Sequence, residues 1–106
     1  MKQARNLETR LQKKSDNSKS GLIVSVDLFN QGPAGLVVIL PITTKAKGIP
    51  FHVEINISEG GLTQRSFIKC EDIRSVAKER LFKRTGRVSD ETMRAVEDRL
   101  RILLNL

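Results

Sequence analysis

The chain has no tryptophan and no tyrosine, and its only aromatic side chains are Phe29, Phe51, Phe67 and Phe82. That poverty argues against the aromatic-studded sheets on which RRM and OB-fold modules stack single-stranded bases. The RNP-type aromatic motif is absent as well. One cysteine, Cys70, cannot close an internal disulfide, and together with a single histidine, His52, it cannot furnish a conventional zinc centre. No metal or other cofactor is therefore expected. No apolar run approaches the roughly 18 residues of a membrane span. The opening Met1-Lys2-Gln3-Ala4-Arg5 lacks the apolar stretch and cleavage site of a secretory signal, so a cytosolic chain is expected. There is no phosphate-cradling glycine loop, no GxSxG elbow and no HExxH. Acidic residues are also scarce: 12 Asp and Glu stand against 19 Lys and Arg, a net charge of +7. That excess favours a polyanionic partner, whether nucleic acid, an anionic membrane surface or an acidic protein segment, without choosing among them.

What is present fits one domain of 106 residues with one modest core. Residues 1–20 are polar, with six Lys or Arg against two acids. Ala4, Leu7 and Leu11 sit at helical spacing, which allows a short amphipathic helix or a mobile basic tail, and 13–20 read as a solvated linker. From Gly21 the texture changes. Leu22-Ile23-Val24-Ser25-Val26 is a short β-branched run and predicts a buried strand. The turn-rich 30–35 separates it from Leu36-Val37-Val38-Ile39-Leu40, which Pro41 should end or place at an edge or bulge, having no amide hydrogen. Phe51 to Ile57 alternates, with Phe51, Val53, Ile55 and Ile57 on one face, as in a half-buried antiparallel strand. Gly60-Gly61 marks a loop, and Ser66 to Glu71 is the next strand. Ser75 could cap a short turn through Leu81, with Gly86 interrupting. Ser89, followed by Asp90 and Glu91, predicts a helix start. Met93, Val96, Leu100 and Leu103 then form an apolar stripe, widened by Ile102 and Leu104, that needs a sheet or a partner to cover it. Short strands followed by a terminal helix predict a mainly β fold with α, a small barrel or sandwich.

Candidate chemistry is sparse. Cys70 follows Phe67-Ile68 and reads as a small buried residue on a strand rather than a nucleophile. His52 faces away from Phe51 and Val53, which predicts an exposed or edge histidine rather than a general base. After Pro41, Thr43 and Thr44 emerge at a strand end, with Lys45 and Lys47 behind them. Hydroxyl and ammonium groups so placed can hold a phosphodiester, or can simply form a solvated loop.

The stretch from Leu36 through Thr43-Thr44, then Lys47-Gly48-Ile49-Pro50-Phe51-His52-Val53-Glu54-Ile55, resembles the strand, threonine-bearing loop and next strand of the MazF/PemK toxin family. Glu59-Gly60-Gly61-Leu62, Ser66 through Ser75, and Gly86-Arg87-Val88-Ser89 through Leu104 resemble its following loop, strand and closing helix. The resemblance runs over 21–106, leaving 1–20 as a divergent basic segment. It implies a small SH3-like or CcdB-like barrel with a C-terminal helix. The implied activity is that of a metal-independent, sequence-specific endoribonuclease acting on single-stranded RNA. The implied partners are a second copy in a homodimer and an antitoxin with an acidic tail, with no membrane. In such chemistry the substrate's 2′-OH attacks phosphorus, which requires proton transfer and stabilised phosphoryl charge.

By position, Thr43 matches the family's catalytic threonine, Lys69 its arginine and Glu71 its acid. Thr44, Lys45, Lys47 and Phe51 fall among substrate contacts, although Phe51 equally fits a core or rim aromatic. The departure lies at Ser18-Lys19-Ser20, which stands where the family carries Arg-Arg-Pro. Lys19 is the one residue there able to supply the missing charge. A catalytically impaired member that binds antitoxin or RNA without cutting is the alternative. A CcdB-like gyrase poison is disfavoured, because the chain ends Leu104-Asn105-Leu106 and has no Trp.

Overall fold

β3 spans Leu36–Thr43 and is the hub of the molecule because both of its faces are apolar. Residues that alternate along a strand point to opposite faces, so a strand covered on both sides reads as one unbroken hydrophobic run. Leu40 joins Leu22, Val53, Ile55, Ile68, Cys70, Val88, Met93 and Val96 in the main core. Its neighbours Val37 and Ile39 join Ile23 and Val76 in a second cluster on the other face. Each such fully buried aliphatic side chain contributes roughly 1.5–3 kcal/mol.

The computed structural model describes residues 8–14, 17–56 and 64–106. In chain order β1 (Glu8–Lys14) and β2 (Asn17–Ile23) lead to the short helix α1 (Asp27–Asn30) and then to β3. β4 (His52–Ile55) and β5 (Ser66–Lys69) follow, then a 3₁₀ turn at Cys70–Asp72, β6 (Arg74–Ala77), a second 3₁₀ turn at Lys78–Arg80, β7 (Leu81–Arg87) and α2 (Asp90–Leu104). The sheet runs β4-β5-β3-β2-β1-β7, with β6 also paired to β3. The fold is thus mainly β with a C-terminal helix, as expected. Among the described residues the strand path is not a closed barrel, because β4 and β7 terminate it.

Several local expectations give way. Residues 8–14 form a strand rather than a helix, and 17–20 pair with it instead of forming a linker; Lys14 lies opposite Asn17 and Leu11 opposite Ser20. β1 is then hydrogen-bonded on its other side to β7, so two polar strands are held by ladder bonds between flanking strands. Periodicity misled here because Leu11 is the only apolar side chain within β1. Ala4 and Leu7, Ile57 and the Gly60-Gly61 loop lie outside the described residues. Pro41 does not end β3. It sits at the changeover between the β6 pairing, which ends at Ile39, and the β5 pairing, which begins at Ile42. A missing donor costs little at such a point. The turn expected from Ser75 through Leu81 begins as a strand, β6, and turns only at Lys78–Arg80, while Gly86 adopts φ 155 beside a register shift in the β1–β7 ladder. Glycine tolerates that bulged conformation where other residues strain.

The last helix is as expected at its start. Ser89 Oγ accepts from Thr92 N–H at 3.1 Å, satisfying one of the free amides. Met93 and Val96 reach the main core, whereas Ile102 and Leu104 remain exposed.

Candidate active site

The most constrained polar cluster lies where β4 starts and β5 ends. His52 N–H donates to Ile49 O at 3.0 Å, and Cys70 N–H to Phe51 O at 3.3 Å. From α2, Arg99 Nε donates to Pro50 O at 3.0 Å. Pairing sets His52 directly opposite Lys69. Immediately after Lys69 the chain turns through Cys70–Asp72, burying Cys70 and carrying Glu71 to His52. Nε2 of His52 lies 2.8 Å from Glu71 Oε2.

His52 lies on an edge strand, as the alternation allows, but its side chain is not exposed. Its side chain is 4% exposed and that of Glu71 31%, because the turn after β5 covers the face that alternation alone assigns to solvent. Nδ1 of His52 is buried and has no hydrogen-bond partner among the described residues.

Lys69 Nζ lies 3.4 Å from Asp72 Oδ2, and Arg74 donates to that same oxygen at 2.7 Å. The hydrogen bond from Arg74, supported by Lys69, holds the Asp72 carboxyl below the usual carboxylate range. Cys70 opens the turn rather than lying in the strand, and it is buried as expected. Burial, with the Glu71 charge beside it, pushes its thiol up to about 11, which leaves little thiolate for nucleophilic work.

Thr43 lies at the end of β3, opposite Phe67 of β5, and Phe67 lies opposite Glu54 of β4. The Thr43 hydroxyl accepts the Lys45 N–H at 3.1 Å. With its oxygen so engaged, its hydrogen is free to donate to an anion. Thr44, Lys45 and Lys47 are exposed in the following loop. Phe51 is half-buried and packs against the main core. Phe67 carries Arg65 over its ring, 5.3 Å from the centroid, and Arg65 also binds Glu54. That bond holds the Glu54 carboxyl below its ordinary range.

The structure therefore brings Lys69 and Glu71 into one cluster. Thr43 stands one strand away, level with Phe67 rather than with Glu71. Lys19 lies in β2, paired with Gln12. Sequence reasoning missed His52, Arg74 and the Arg65–Phe67 stack. The alternation of 51–57 already placed His52 and Glu54 on one face, but the register that brings them to Lys69 and Phe67 is not written in either strand alone. Among the described residues no three His, Cys, Asp or Glu side chains converge as ligands for a metal.

Comparison with known proteins bears on this arrangement. The family described as PemK-like, MazF-like toxin of type II toxin–antitoxin system matches residues 5–104. Endoribonuclease MazF9 of Mycobacterium tuberculosis is 31% identical over 97 residues, which cover 87% of this chain and 82% of that protein. Endoribonuclease EndoA of Bacillus subtilis is 31% identical over 86 residues, covering 80% and 74%. Among solved structures, an endoribonuclease in complex with its cognate antitoxin from a mycobacterial species superimposes with a TM-score of 0.80 at 26% identity, covering 96% of this chain and 94% of that one.

Proposed function

The chain belongs to the PemK-like, MazF-like toxin family of type II toxin–antitoxin systems, and from that premise we propose that it is a metal-independent, sequence-specific endoribonuclease of single-stranded RNA. The substrate's 2′-oxygen bonds to the adjacent phosphorus as the P–O5′ bond breaks, giving a cyclic phosphate and a 5′-hydroxyl end. Glu71 takes the 2′-hydroxyl proton, and the departing 5′-oxygen takes one from solvent. Lys69 and Lys19 supply positive charge to the phosphoryl oxygens, and the Thr43 hydroxyl donates to one of them. Thr44, Lys45, Lys47 and Phe51 bind the flanking nucleotides. DNA, which has no 2′-hydroxyl, is not cut.

The observation that carries this reading is the cluster at the end of β5, where Glu71 is held at 2.8 Å by a buried histidine beside Lys69. A carboxylate in a defined rotamer next to a cation suits proton abstraction beside a phosphate. The register supports Lys19 in turn. β2 and β3 pair antiparallel as far as Gly21 opposite Pro41, and Lys19 and Thr43 each lie two residues beyond that last pair on their own strands. The net charge of +7 suits both RNA and an antitoxin with an acidic tail. Exposed Ile102, Leu104 and Leu106 suit a homodimer in the cytosol.

One observation favours the second reading, a member that binds antitoxin or RNA without cutting. Ser18, Lys19 and Ser20 lie in a paired strand, not in an arginine-bearing loop, and lysine cannot reproduce the planar fork of an arginine. The test is incubation with a long single-stranded RNA in excess EDTA, mapping cut sites and end chemistry. Discrete cuts with 5′-hydroxyl ends, reduced about 100-fold or more in Thr43→Ala and Glu71→Gln, support the nuclease. A folded protein that cuts nothing moves the reading to binding alone. Lys19→Ala then reports whether the hairpin contributes charge.

A further inference from the structure

Resting on the reading of Glu71 as the proton acceptor, we propose that His52 is a positioning residue for the cleavage reaction: its Nε2–H holds Glu71 Oε2 and so turns the other carboxylate oxygen, Oε1, toward the substrate's 2′-hydroxyl. Three features point to this role rather than to packing.

The first is burial. His52 has a side chain only 4% exposed, on the strand face opposite Val53 and Ile55 of the main core. A histidine needed only to fill space could be replaced by an apolar residue that brings no polar atoms to bury.

The second is how its hydrogen bonds are distributed. Nε2 is bound to Glu71 at 2.8 Å, while Nδ1 is buried without a partner among the described residues. In the tautomer that carries its proton on Nε2, the ring donates to the carboxylate and the orphan at Nδ1 is a bare lone pair. In the other tautomer the orphan is a buried N–H. Orphaned donors are the rarer and costlier case. The geometry therefore selects the Nε2–H tautomer.

The third is rigidity. The ring is carried on a backbone fixed by its own N–H to Ile49, by the Cys70–Phe51 bond and by Arg99 on Pro50. It is thus held by the start of β4, the turn after β5 and helix α2 together. The charged groups around the pair are Lys69 opposite it in β5, Asp72 and Arg74 beyond the turn, and Asp98 and Arg99 on α2. None of these replaces a donor at Oε2, since Lys69 and Arg74 are engaged with Asp72 and Arg99 with Pro50 and Asp98.

The chain contains one histidine, so its imidazole nitrogens give a single assignable pair of ¹⁵N signals. The experiment records them in the unmodified protein and follows cleavage of a single-stranded RNA by His52→Gln, His52→Leu and Glu71→Gln. Expected are a ring protonated at Nε2 and bare at Nδ1, and a kcat lowered roughly tenfold or more in His52→Leu with KM little changed. Glutamine can present an amide N–H close to the position of Nε2, and it should restore the rate. A ring protonated at Nδ1 overturns the proposal even if no variant folds. So does wild-type cleavage by a folded His52→Leu while Glu71→Gln is inactive, an outcome that leaves the nuclease reading standing. Full activity in Glu71→Gln removes the reading of Glu71, and the positioning role falls with it.

Discussion

The two ends of the sheet are built on different principles. At one end β4, β5, the turn at Cys70–Asp72 and α2 close around Val53, Ile55, Ile68, Cys70, Met93 and Val96, all in the main core. At the other end β1 and the start of β2 are polar, and their register with β7 is held by ladder bonds, with two shifts between β1 and β7. Burial of one face specifies register strongly, whereas a polar pair specifies it weakly. The first end therefore supplies a fixed carboxylate at Glu71. The second is rich in Lys and Arg by sequence, with Arg10, Lys13, Lys14, Lys19, Lys83 and Arg84 in its strands. A reaction that needs one proton acceptor in a defined rotamer and diffuse attraction for a polyanion can divide the two tasks in this way.

The largest expected difference between the ends is in stability. Ile68 is fully buried between β3 and β4, and Ile68→Ala should cost about 2–5 kcal/mol in urea unfolding. A loss under 1 kcal/mol would show that this end does not anchor the fold.

A smaller effect, of alkaline pH, belongs to the same end. Burial raises the Cys70 thiol from 9.0 to about 11. The folded state therefore binds more protons than the unfolded state between those values. Its contribution is intact below pH 9 and is lost as pH rises through 11, amounting to about 2–3 kcal/mol at about 1.4 kcal/mol per unit. Cys70→Val should flatten that slope, and the native thiol should resist alkylation at pH 8 until the protein unfolds. Rapid alkylation of the folded protein would contradict the burial.

The same contrast explains what could be read from the sequence. The alternation from 51 onward, the apolar run of β3 and the Ser89 cap with its Met93–Val96 stripe each carry a period that burial imposes; β3 and α2 are found where the period puts them, and β4 over His52–Ile55. Glu71, Lys69 and Thr43 stand out as candidates through resemblance, not through spacing. β1, the start of β2 and β6 carry no such period, because ladder hydrogen bonds use the backbone and leave the side chains unconstrained. The burial of His52 is not legible for a related reason. Alternation says which face of a strand is apolar, but not what another segment lays over the opposite face, and here that segment is a 3₁₀ turn bearing an acid. The family match beginning at residue 5 takes in strands that display no motif.

Gly21 offers a gentler test at the seam between the two ends. A Cβ there would meet Ile39 Cδ1 at 3.1 Å and Leu40 O at 3.6 Å. The tighter contact is with the tip of a flexible side chain. Gly21→Ala gains from a less flexible unfolded chain about what it loses in crowding, so the net change should stay within about 1 kcal/mol. A loss of about 3 kcal/mol or more would mean that β2 and β3 approach too closely for Ile39 to adjust.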